Sequence, residues 1–353
     1  MTIRRYISTA DVHINQYERW DECQRVLGNI VAIVQRETPD GFIIAGDVYE
    51  RASTPKERRF CDAWLTAIAA VCPIFIVKGN HDRKFDLAIL GHLRTVHPIT
   101  VEEQCSVQVW AGAVVVGLAW HDEEQVLAAL PKGTGLEDAG TVASGALRNT
   151  LLAAGIQADE LAGEDVPRLL VSHCMFRGAE SSNGQPLLGQ PVEVDCETLG
   201  LARCHVGILG HIHKWQWWTT KATFFGAERE VSFGYVGSSF RTDNGQLEEK
   251  SVELVEFDGS KLVRRERIDT GATPMVHFSG LWDETEKEER ETYFDQPDDV
   301  FAILVNQPDV EVVEHSQNED DYGQITHDVT LVKKKSYGCC HIENVPPEEF
   351  GIR

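Results

Sequence analysis

Five short apolar segments in the N-terminal part of the chain each end at residues that commonly bind metal ions. The endings carry, in chain order, Asp11, His13, Asp47, Asn80, His173, His211 and His213. Functional sites of open α/β sheets lie beyond the carboxyl ends of the strands. The sequence therefore predicts that these loops bring their polar side chains to one place.

The first 220 residues alternate apolar runs with amphipathic stretches, which is typical of layered α/β proteins. The apolar runs predict strands at 6–10, 42–45, 74–77, 114–118, 169–171 and 206–209. After residue 226 the pattern becomes strand-rich, with predicted strands at 231–236, 251–257 and 261–268. An Asp-Gly pair between the last two predicts a hairpin turn.

Two helices are predicted between the first three strands. Apolar residues recur at helical spacing from Trp20 to Val34. Thr54 and Glu57 form a capping box, and Pro55 stands at the first helical position. A further helix is predicted near 146–154, and the character of the sequence changes at about 270–280, where we place a domain boundary.

The charge of the chain is strongly negative but uneven. The net charge is −23 over 353 residues, and fifteen acidic residues against Lys287 and Arg290 give −13 between 283 and 321. A negative balance argues against nucleic-acid binding, because phosphate contacts leave a basic footprint. Since more than half of the excess lies in one stretch, this argument does not exclude nucleic acid as a ligand of the remaining residues.

The composition also indicates a cellular setting. Nine cysteines occur without a C-x-x-C pair, which favours reduced thiols in the cytosol. No apolar run approaches the roughly 20 residues of a membrane helix, and no signal peptide is recognisable. We therefore expect a soluble cytoplasmic protein with no membrane partner.

The predicted cluster contains carboxylates, an amide oxygen and imidazoles, which together suit a pair of divalent cations. One carboxylate would bridge the two ions for two-metal phosphoryl chemistry. Glycines precede Asp47, Asn80 and His211 and would let the backbone approach the ions. Any one of these residues alone could instead cap a helix or bind backbone, and only the five-part order favours the metal site.

The order D-x-H, GD, GNH-D, H and GH-x-H resembles the calcineurin-like metallophosphoesterases. Within that family, the sequence is similar to the SbcD-type nuclease subunit. The similarity lies at 46–54, 79–83, 176–189, 210–216, 235–241 and 250–257. It covers about residues 5–258 and fades after them.

The resemblance implies an α/β fold, a four-layer αββα sandwich with a small C-terminal cap. It implies domains at 1–270 for the nuclease, 275–335 for a reduced cap with the acidic stretch, and 336–353 for a tail. Strands at 300–305 and 326–333 would belong to the cap. The acidic stretch is either a solvated linker, which we favour slightly, or a surface for a basic partner.

The resemblance also implies roles for the clustered residues. One metal would be held by Asp11, His13 and His213. The other would be held by Asp47, Asn80, His173 and His211, with Asp47 bridging. His81 would be the general acid or transition-state donor, oriented by Asp82. The metals would be Mn²⁺, with Mg²⁺, Fe²⁺ and Zn²⁺ as alternatives.

The implied function is cleavage of DNA, with exonuclease action on duplex ends and endonuclease action on single strands or hairpins. The implied partners are DNA, an SbcC-type SMC-like ATPase and a second copy of the chain, in the nucleoid-associated cytoplasm. A phosphodiesterase or phosphatase for small substrates and a non-cutting scaffold for DNA ends and an ATPase remain alternatives.

Several residues near the motifs could contact DNA or be ordinary structural residues. The cations are Arg51, Arg83, Lys84 and Arg241. Trp215, Trp217 and Trp218 could stack on bases, although core or interface packing is favoured for at least two of them. Among the other histidines, His121 is the one expected nearest to the site.

Overall fold

The computed structural model describes residues 3–121, 136–161, 163–182, 193–242, 246–279, 301–305, 311–319, 325–332 and 340–342. The chain divides into two compact units, one of Met1–Thr242 with Lys250–Ala272 and one of Asp243–Glu249 with Thr273–Arg353. The acidic run 283–291 lies outside the described residues. Within the described part of the chain, no helix is long and apolar enough to cross a membrane.

Two six-stranded mixed sheets form the first unit. The first sheet has the order β12-β11-β1-β2-β3-β4 and the second has the order β5-β6-β7-β8-β10-β9. Their strands are β1 Ile3–Thr9, β2 Gly41–Ile44, β3 Ile74–Val77, β4 Ile99–Glu102, β5 Cys105–Trp110, β6 Ala113–Leu118, β7 Arg168–His173, β8 Val206–Gly210, β9 Gln216–Phe224, β10 Ala227–Tyr235, β11 Ser251–Asp258 and β12 Lys261–Asp269. Strands β1 to β4 run parallel, as do β6, β7 and β8.

Helices cover the outer faces of both sheets. The described helices are α1 Trp20–Glu37, α2 Pro55–Ala69, α3 Lys84–Ala88, α4 Leu136–Leu161 and α5 Cys196–Gly200, with a 3-10 turn at Ile89–His92. Helix α2 begins with the predicted capping box, in which Thr54 accepts from the backbone N–H of Glu57 and Glu57 accepts from that of Thr54. The capping box satisfies backbone donors that a helix leaves open at its first turn.

Three apolar cores explain why the sequences of the central strands are continuously apolar. Along β3, Ile74 and Ile76 pack towards α1 and α2, whereas Phe75 and Val77 pack between the two sheets. A third core lies between the second sheet and the helices α4 and α5. Strands buried on both faces need apolar residues at every position. The predicted fold class is therefore confirmed as a mixed α/β sandwich with two sheets.

The described strands of the second unit form two small sheets. One has the order β13-β14-β17, and the other pairs β15 with β16. These strands are β13 Met275–Ser279, β14 Phe301–Val305, β15 Glu311–Glu319, β16 Ile325–Val332 and β17 Cys340–Ile342. The predicted strands at 300–305 and 326–333 coincide with β14 and β16.

The predicted elements of the first unit are observed, but the strands β4, β5 and β9 were not predicted, because their partly exposed residues form no continuous apolar run. The predicted strand at 74–77 has the bounds of β3, and the hairpin at 251–268 is formed by β11 and β12. The helix predicted near 146–154 is longer and covers Leu136–Leu161. Its weak apolar periodicity at the start explains the difference, because small residues there give little helical pattern.

Candidate metal centre

Parallel strands bring the predicted metal-binding residues to one edge of the sandwich. Asp11 follows β1, Asp47 follows β2 and Asn80 follows β3 in the first sheet. His173 ends β7 and His211 follows β8 in the second sheet. Because these strands share one direction within each sheet, their carboxyl ends deliver all five loops to the same edge.

The first group of donors contains Asp11, His13 and His213, whose ligand atoms all lie within 4.8 Å of one another. The Nε2 atoms of His13 and His213 are 3.0 Å apart. The Nδ1 atom of His13 lies 2.7 Å from a carboxylate oxygen of Glu50, and Nδ1 of His213 lies 2.9 Å from the hydroxyl of Thr242. A proton on each Nδ1 leaves both Nε2 lone pairs directed towards the same point.

The second group surrounds Asp47. A carboxylate oxygen of Asp47 lies 3.3 Å from Nε2 of His173, and Asp11, Asp47 and His173 again lie within 4.8 Å in their ligand atoms. The amide oxygen of Asn80 is 2.9 Å from Nε2 of His173 and 2.9 Å from Nδ1 of His211. The structure thus brings together all seven residues that the sequence predicts as ligands.

Both groups meet at Asp47, which lies between them. Its carboxylate is 3.7 Å from Nε2 of His13 as well as 3.3 Å from His173. This central position is the one that a bridging carboxylate of a two-metal site occupies. The backbone carbonyl of Asp47 also accepts from the N–H groups of Val12 and His13, which ties the first two loops together.

The backbone of the centre is strained at the residues that carry the donors. Asp11, His13, Asp47 and His211 all have positive φ angles, at 49°, 47°, 53° and 107°. Non-glycine residues in this region cost on the order of 1–3 kcal/mol each, and such residues concentrate at functional sites. The strain indicates that the loops are shaped to direct these side chains inward.

Two glycines provide room for the donors. Gly46 has φ of 91°, and a Cβ added there would lie 2.2 Å from Nδ1 of His173. A Cβ at Gly79 would lie 2.1 Å from a carboxylate oxygen of Asp47. The sequence-based expectation that glycines allow close approach is confirmed at these positions.

Burial and charge shift the titration of the acidic donors in opposite directions. Burial raises the pKa of Asp11 to about 6, against the attraction of His173. Burial also acts to raise the pKa of Asp47, but its proximity to His173 and His13 holds it below its usual range. Asp47 in turn raises the pKa of His173 to about 9, although burial alone would lower it. The centre therefore holds buried negative charge that attracts positive charge.

Burial acts to lower the pKa of His13, but its hydrogen bond with Glu50 and the charge of Asp47 raise it. The imidazoles of His211 and His213 instead favour the neutral form. Burial, reinforced by the neighbouring His173, lowers the pKa of His211 to about 3. Burial and the charge of His13 lower the pKa of His213 well below its usual range. A metal binds the neutral imidazole. Neutral imidazoles, buried carboxylates and an amide oxygen on converging loops fit a pair of divalent cations.

His81 differs from the other histidines of the centre because its side chain is 38% exposed. Its backbone N–H donates to the Asp47 carboxylate over 2.9 Å, and its Nδ1 donates to the carbonyl of Glu50 over 2.8 Å. This leaves Nε2 for a group arriving from solvent, as the expected proton donor requires. The ring packs edge-on against His13, with centroids 4.9 Å apart.

The sequence analysis expected Asp82 to orient the ring of His81, but in the structure Glu50 does so. The buried carboxylate of Asp82 accepts from the backbone N–H groups of Gly79 and Tyr49, so it joins two loops. The ring of His81 is instead oriented by Glu50, which also faces His13. The signal for Glu50 was its place three residues after Asp47, at the end of the same loop.

Residues of the two segments 235–241 and 250–257 hold the loop of His213 in place. The ammonium group of Lys250, which is buried, donates to the carbonyl of His213 over 3.2 Å and to the hydroxyl of Ser238 over 2.8 Å. The hydroxyl of Ser239 lies 2.7 Å from that of Thr9, at the end of β1. Ser238, Ser239 and Lys250 therefore join the loops that carry Asp11 and His213.

A tryptophan that the sequence analysis did not single out lies beside the second group. The ring centroid of Trp120 is 4.7 Å from that of His211, at an interplanar angle of 31°. It is 5.8 Å from that of His173, with the rings nearly perpendicular. The only sequence signal for Trp120 was its place after strand β6. The sequence analysis instead expected the adjacent His121 near the site, and Nδ1 of His121 lies 3.2 Å from the carbonyl oxygen of Ala119.

The four cations suggested for DNA contact have different environments. Arg51 is 40% exposed and contacts Asn15, and Arg83 is exposed. Arg241 is buried, at 4% exposure, and donates to the carbonyl of Ala272, so the expected surface contact with DNA is not available to it. The side chain of Lys84 lies outside the described residues.

The three tryptophans after His213 are engaged within the fold. Trp218 packs on Phe176, with centroids 4.5 Å apart. The indole N–H of Trp215 donates to Glu253 over 2.9 Å, and the ring of Trp217 lies against the guanidinium of Arg265 at 4.4 Å. The packing alternative therefore describes these residues better than base stacking.

A pocket of about 170 Å³ adjoins the first group of donors. The residues that line it include His13, His81 and His213. The other lining residues are Asn15, Glu18, Arg19, Glu50, Phe240 and Thr242. The pocket therefore gives a bound molecule access to the exposed ring of His81.

Comparison with known proteins places this centre in context. Residues 5–214 match the family model described as calcineurin-like phosphoesterase, and residues 278–353 match that of the phage SU10 portal protein. The chain is similar to TT1561 of Thermus thermophilus, at 13% identity and a TM-score of 0.41, covering 76% of this chain and 100% of that chain. It is similar to GAP50, the anchor in the inner membrane complex of Plasmodium, at 13% identity and a TM-score of 0.45, covering 77% and 86%. No curated protein sequence gives a significant match.

Proposed function

Because the chain belongs to the calcineurin-like phosphoesterase family, we propose that it is a metal-dependent phosphodiesterase whose substrate is DNA. The observation that carries the phosphodiesterase part is the convergence of two carboxylates, an amide and four imidazoles at one edge of the sandwich. When bound, two divalent cations activate water and neutralise the oxygens of a phosphate.

The residues of this chain would then have separate tasks. The first metal would be held by Asp11, His13 and His213, and the second by Asp47, Asn80, His173 and His211, with Asp47 shared. His81 would give a proton to the leaving oxygen, because its ring is exposed and its Nδ1 is fixed by Glu50. Asp82 would keep the loops of Asp47 and Asn80 in register.

DNA as the substrate is supported by the segments in which the sequence is similar to SbcD-type nucleases. The segments 235–241 and 250–257 contribute Ser238, Ser239 and Lys250, which hold the loops of Asp11 and His213. Because the similarity includes residues that hold the loops of the metal centre, it supports a substrate of the same class. By the same resemblance we propose an SbcC-type ATPase and a second copy of the chain as partners, and Mn²⁺ as the metal.

The test compares wild type with His81→Gln in Mn²⁺, on end-labelled duplex and hairpin DNA and on bis-p-nitrophenyl phosphate. We expect His81→Gln to lower DNA cleavage about 100-fold, the usual scale of a general acid. The small diester should lose much less, because p-nitrophenolate leaves without a proton. A chelator should abolish both activities in the wild type.

The matched control is His92→Gln, which removes an exposed imidazole from the 3-10 turn outside the centre and should leave both activities unchanged. Hydrolysis of the small diester alone, even with an SbcC-type ATPase added, would contradict DNA as the substrate and favour a small-substrate phosphodiesterase. Absence of any hydrolysis by the metal-loaded protein would favour the scaffold alternative.

A further inference from the structure

An aromatic side chain stands in solvent beside the pocket of the metal centre. The ring of Tyr17 is 71% exposed. The residues on both sides of it, Asn15, Glu18 and Arg19, line the same pocket as His13 and His81. Tyr17 therefore stands on the loop that borders the pocket.

The structure holds Tyr17 in place although it is exposed. Its backbone N–H donates to the side-chain oxygen of Asn15 over 3.1 Å. The guanidinium of Arg51 lies over the ring, 4.7 Å from its centroid. One face of the ring is thus covered by a cation, and the exposed fraction leaves the other face to solvent.

Arg51 is itself fixed from behind. It donates to the side-chain oxygen of Asn15 over 3.0 Å and lies 3.8 Å from a carboxylate oxygen of Glu57. Glu57 is buried and also accepts from the backbone N–H of Gln16 over 2.8 Å. Arg51 and Tyr17 consequently form a pre-organised pair, and a ligand that stacks on Tyr17 orders little of the protein.

We propose that Tyr17 and Arg51 form a stacking platform for an unpaired nucleobase, an inference that rests on the proposed phosphodiesterase function. A flat heteroaromatic ring stacks on the open face of the tyrosine, and the guanidinium on the opposite face attracts the adjoining phosphate. The nucleobase comes either from a DNA strand or from a small nucleotide diester. In both cases the platform positions the nucleotide at the pocket of His81.

The experiment measures kcat/KM of wild type, Tyr17→Leu and Tyr17→Phe with Mn²⁺ on three substrates. These are a single-stranded oligonucleotide, the same strand with abasic residues around the cleavage position, and the p-nitrophenyl ester of thymidine 5′-monophosphate. On the natural strand we expect Tyr17→Leu to lose about fivefold, the lower end of the contribution from one stacked base. On the abasic strand it should equal the wild type, and Tyr17→Phe should equal the wild type on every substrate.

The three substrates distinguish a base that comes from a DNA strand from one that comes from a small nucleotide. They also distinguish failure of the platform proposal from failure of DNA as the substrate. A loss on the thymidine ester but none on the strand assigns the platform to small nucleotides. A wild type that cleaves the ester but no DNA refutes DNA as the substrate, and the ester still tests the platform. Equal loss on natural and abasic strands would overturn the platform, as would the same base-dependent loss in Phe85→Leu, which removes another exposed ring.

Discussion

The two ends of strand β7 bury charge in different ways. At the amino end, Arg168 is completely buried, its guanidinium pairs with Asp159, and the ring of Phe225 lies 4.2 Å beneath it. Asp159 also pairs with Arg203. At this end each buried charge has an opposite charge, and the residues that carry them have ordinary backbone except Arg203.

At the carboxyl end of the same strand, His173 faces two buried carboxylates. Asp11 and Asp47 are both buried within reach of it, and their backbones are strained. The pKa of Asp11 is raised by burial, whereas that of Asp47 is lowered by its histidines. The comparison teaches that the amino end is arranged for stability and the carboxyl end for binding cations.

The largest expected effect comes from removing the carboxylate proposed to be shared at the carboxyl end. Asp47→Asn keeps the shape of the side chain but removes the charge that both proposed metal positions would share. We expect kcat/KM to fall on the order of 10³-fold, equivalent to about 4 kcal/mol of transition-state stabilisation. Steady-state kinetics with saturating Mn²⁺ measure this effect.

Thermal unfolding adds a readout that does not depend on catalysis. Mn²⁺ at about 100 times its Kd should stabilise the wild type by about 2.7 kcal/mol for each site, and Asp47→Asn should lose much of this stabilisation. If Asp47→Asn binds and responds to Mn²⁺ as the wild type does, then Asp47 is not a shared ligand and the contrast between the two ends fails.

Breaking the charge network at the amino end should have the opposite profile. Arg168→Met removes one of the two arginines that pair with Asp159, and a hydrogen bond to a charged group contributes about 2 kcal/mol. We expect the free energy of unfolding to fall by this amount in urea titrations. The kcat/KM of the folded variant and its stabilisation by Mn²⁺ should remain those of the wild type.

A weaker effect of Arg168→Met on stability than on activity would contradict the division of tasks along β7. The double variant Arg168→Met, Asp159→Asn is the matched control. It removes both charges of the pair, and together with Asp159→Asn alone it completes a double-mutant cycle that measures how much of the lost stability belongs to the pair itself.

At the amino end of β7, Nδ1 of His205 accepts from the backbone N–H of Arg168 over 3.1 Å. This histidine predicts a dependence of stability on pH. Burial, together with the charges of Arg168 and Arg229, lowers the pKa of His205 to about 4. A histidine with a lowered pKa stabilises the fold above its unfolded pKa of about 6.5, and this stabilisation is lost as the pH falls towards 4. Between pH 7 and pH 5 the loss amounts to about 2 kcal/mol.

The measurement is the free energy of unfolding of wild type and His205→Gln at pH 7 and pH 5, both with a chelator. Other groups titrate equally in both proteins, so the difference between their pH slopes isolates His205. We expect the variant to lose about 2 kcal/mol less than the wild type on acidification. Parallel slopes would show that His205 is not held neutral by its surroundings.

These contrasts also show which features a sequence can predict. The apolar runs predicted strands such as β3, because Ile74 and Phe75 must be apolar when both faces of a strand are buried. The partly exposed strands β4, β5 and β9 carry no such run and were not predicted. The apolar strands fixed the places of Asp47 and His173, since parallel strands present their carboxyl ends at one edge. Fold class and the gathering of the polar residues were therefore accessible from pattern alone.

Pairings between side chains far apart in sequence were not accessible. The contact of Glu50 with His13 spans two loops, and Arg168 finds its ring partner 57 residues later at Phe225. Nothing in the local pattern marked Arg241 as buried either. Such contacts depend on how the sheets pack on one another, which periodicity does not specify.

Trp120 belongs to this second class and carries the smallest expected effect. Its ring lies against His211, whose backbone is strained, so the indole limits the positions that the imidazole can take. An aromatic pair of this kind contributes about 1 kcal/mol, or a factor of about 5 in affinity. Trp120→Leu should therefore weaken one Mn²⁺ site about fivefold and leave the other unchanged.

Titration of free Mn²⁺ by electron paramagnetic resonance resolves the two sites, and kcat at saturating Mn²⁺ should stay at the wild-type value because Trp120 touches no predicted proton donor. Trp120→Phe keeps an aromatic face beside His211 and should bind Mn²⁺ as the wild type does. Equal weakening of both sites would mean that the tryptophan supports the sandwich edge as a whole. In that case the carboxyl end of β7 would resemble its amino end, because Trp120 would contribute to packing and not to the placement of a ligand.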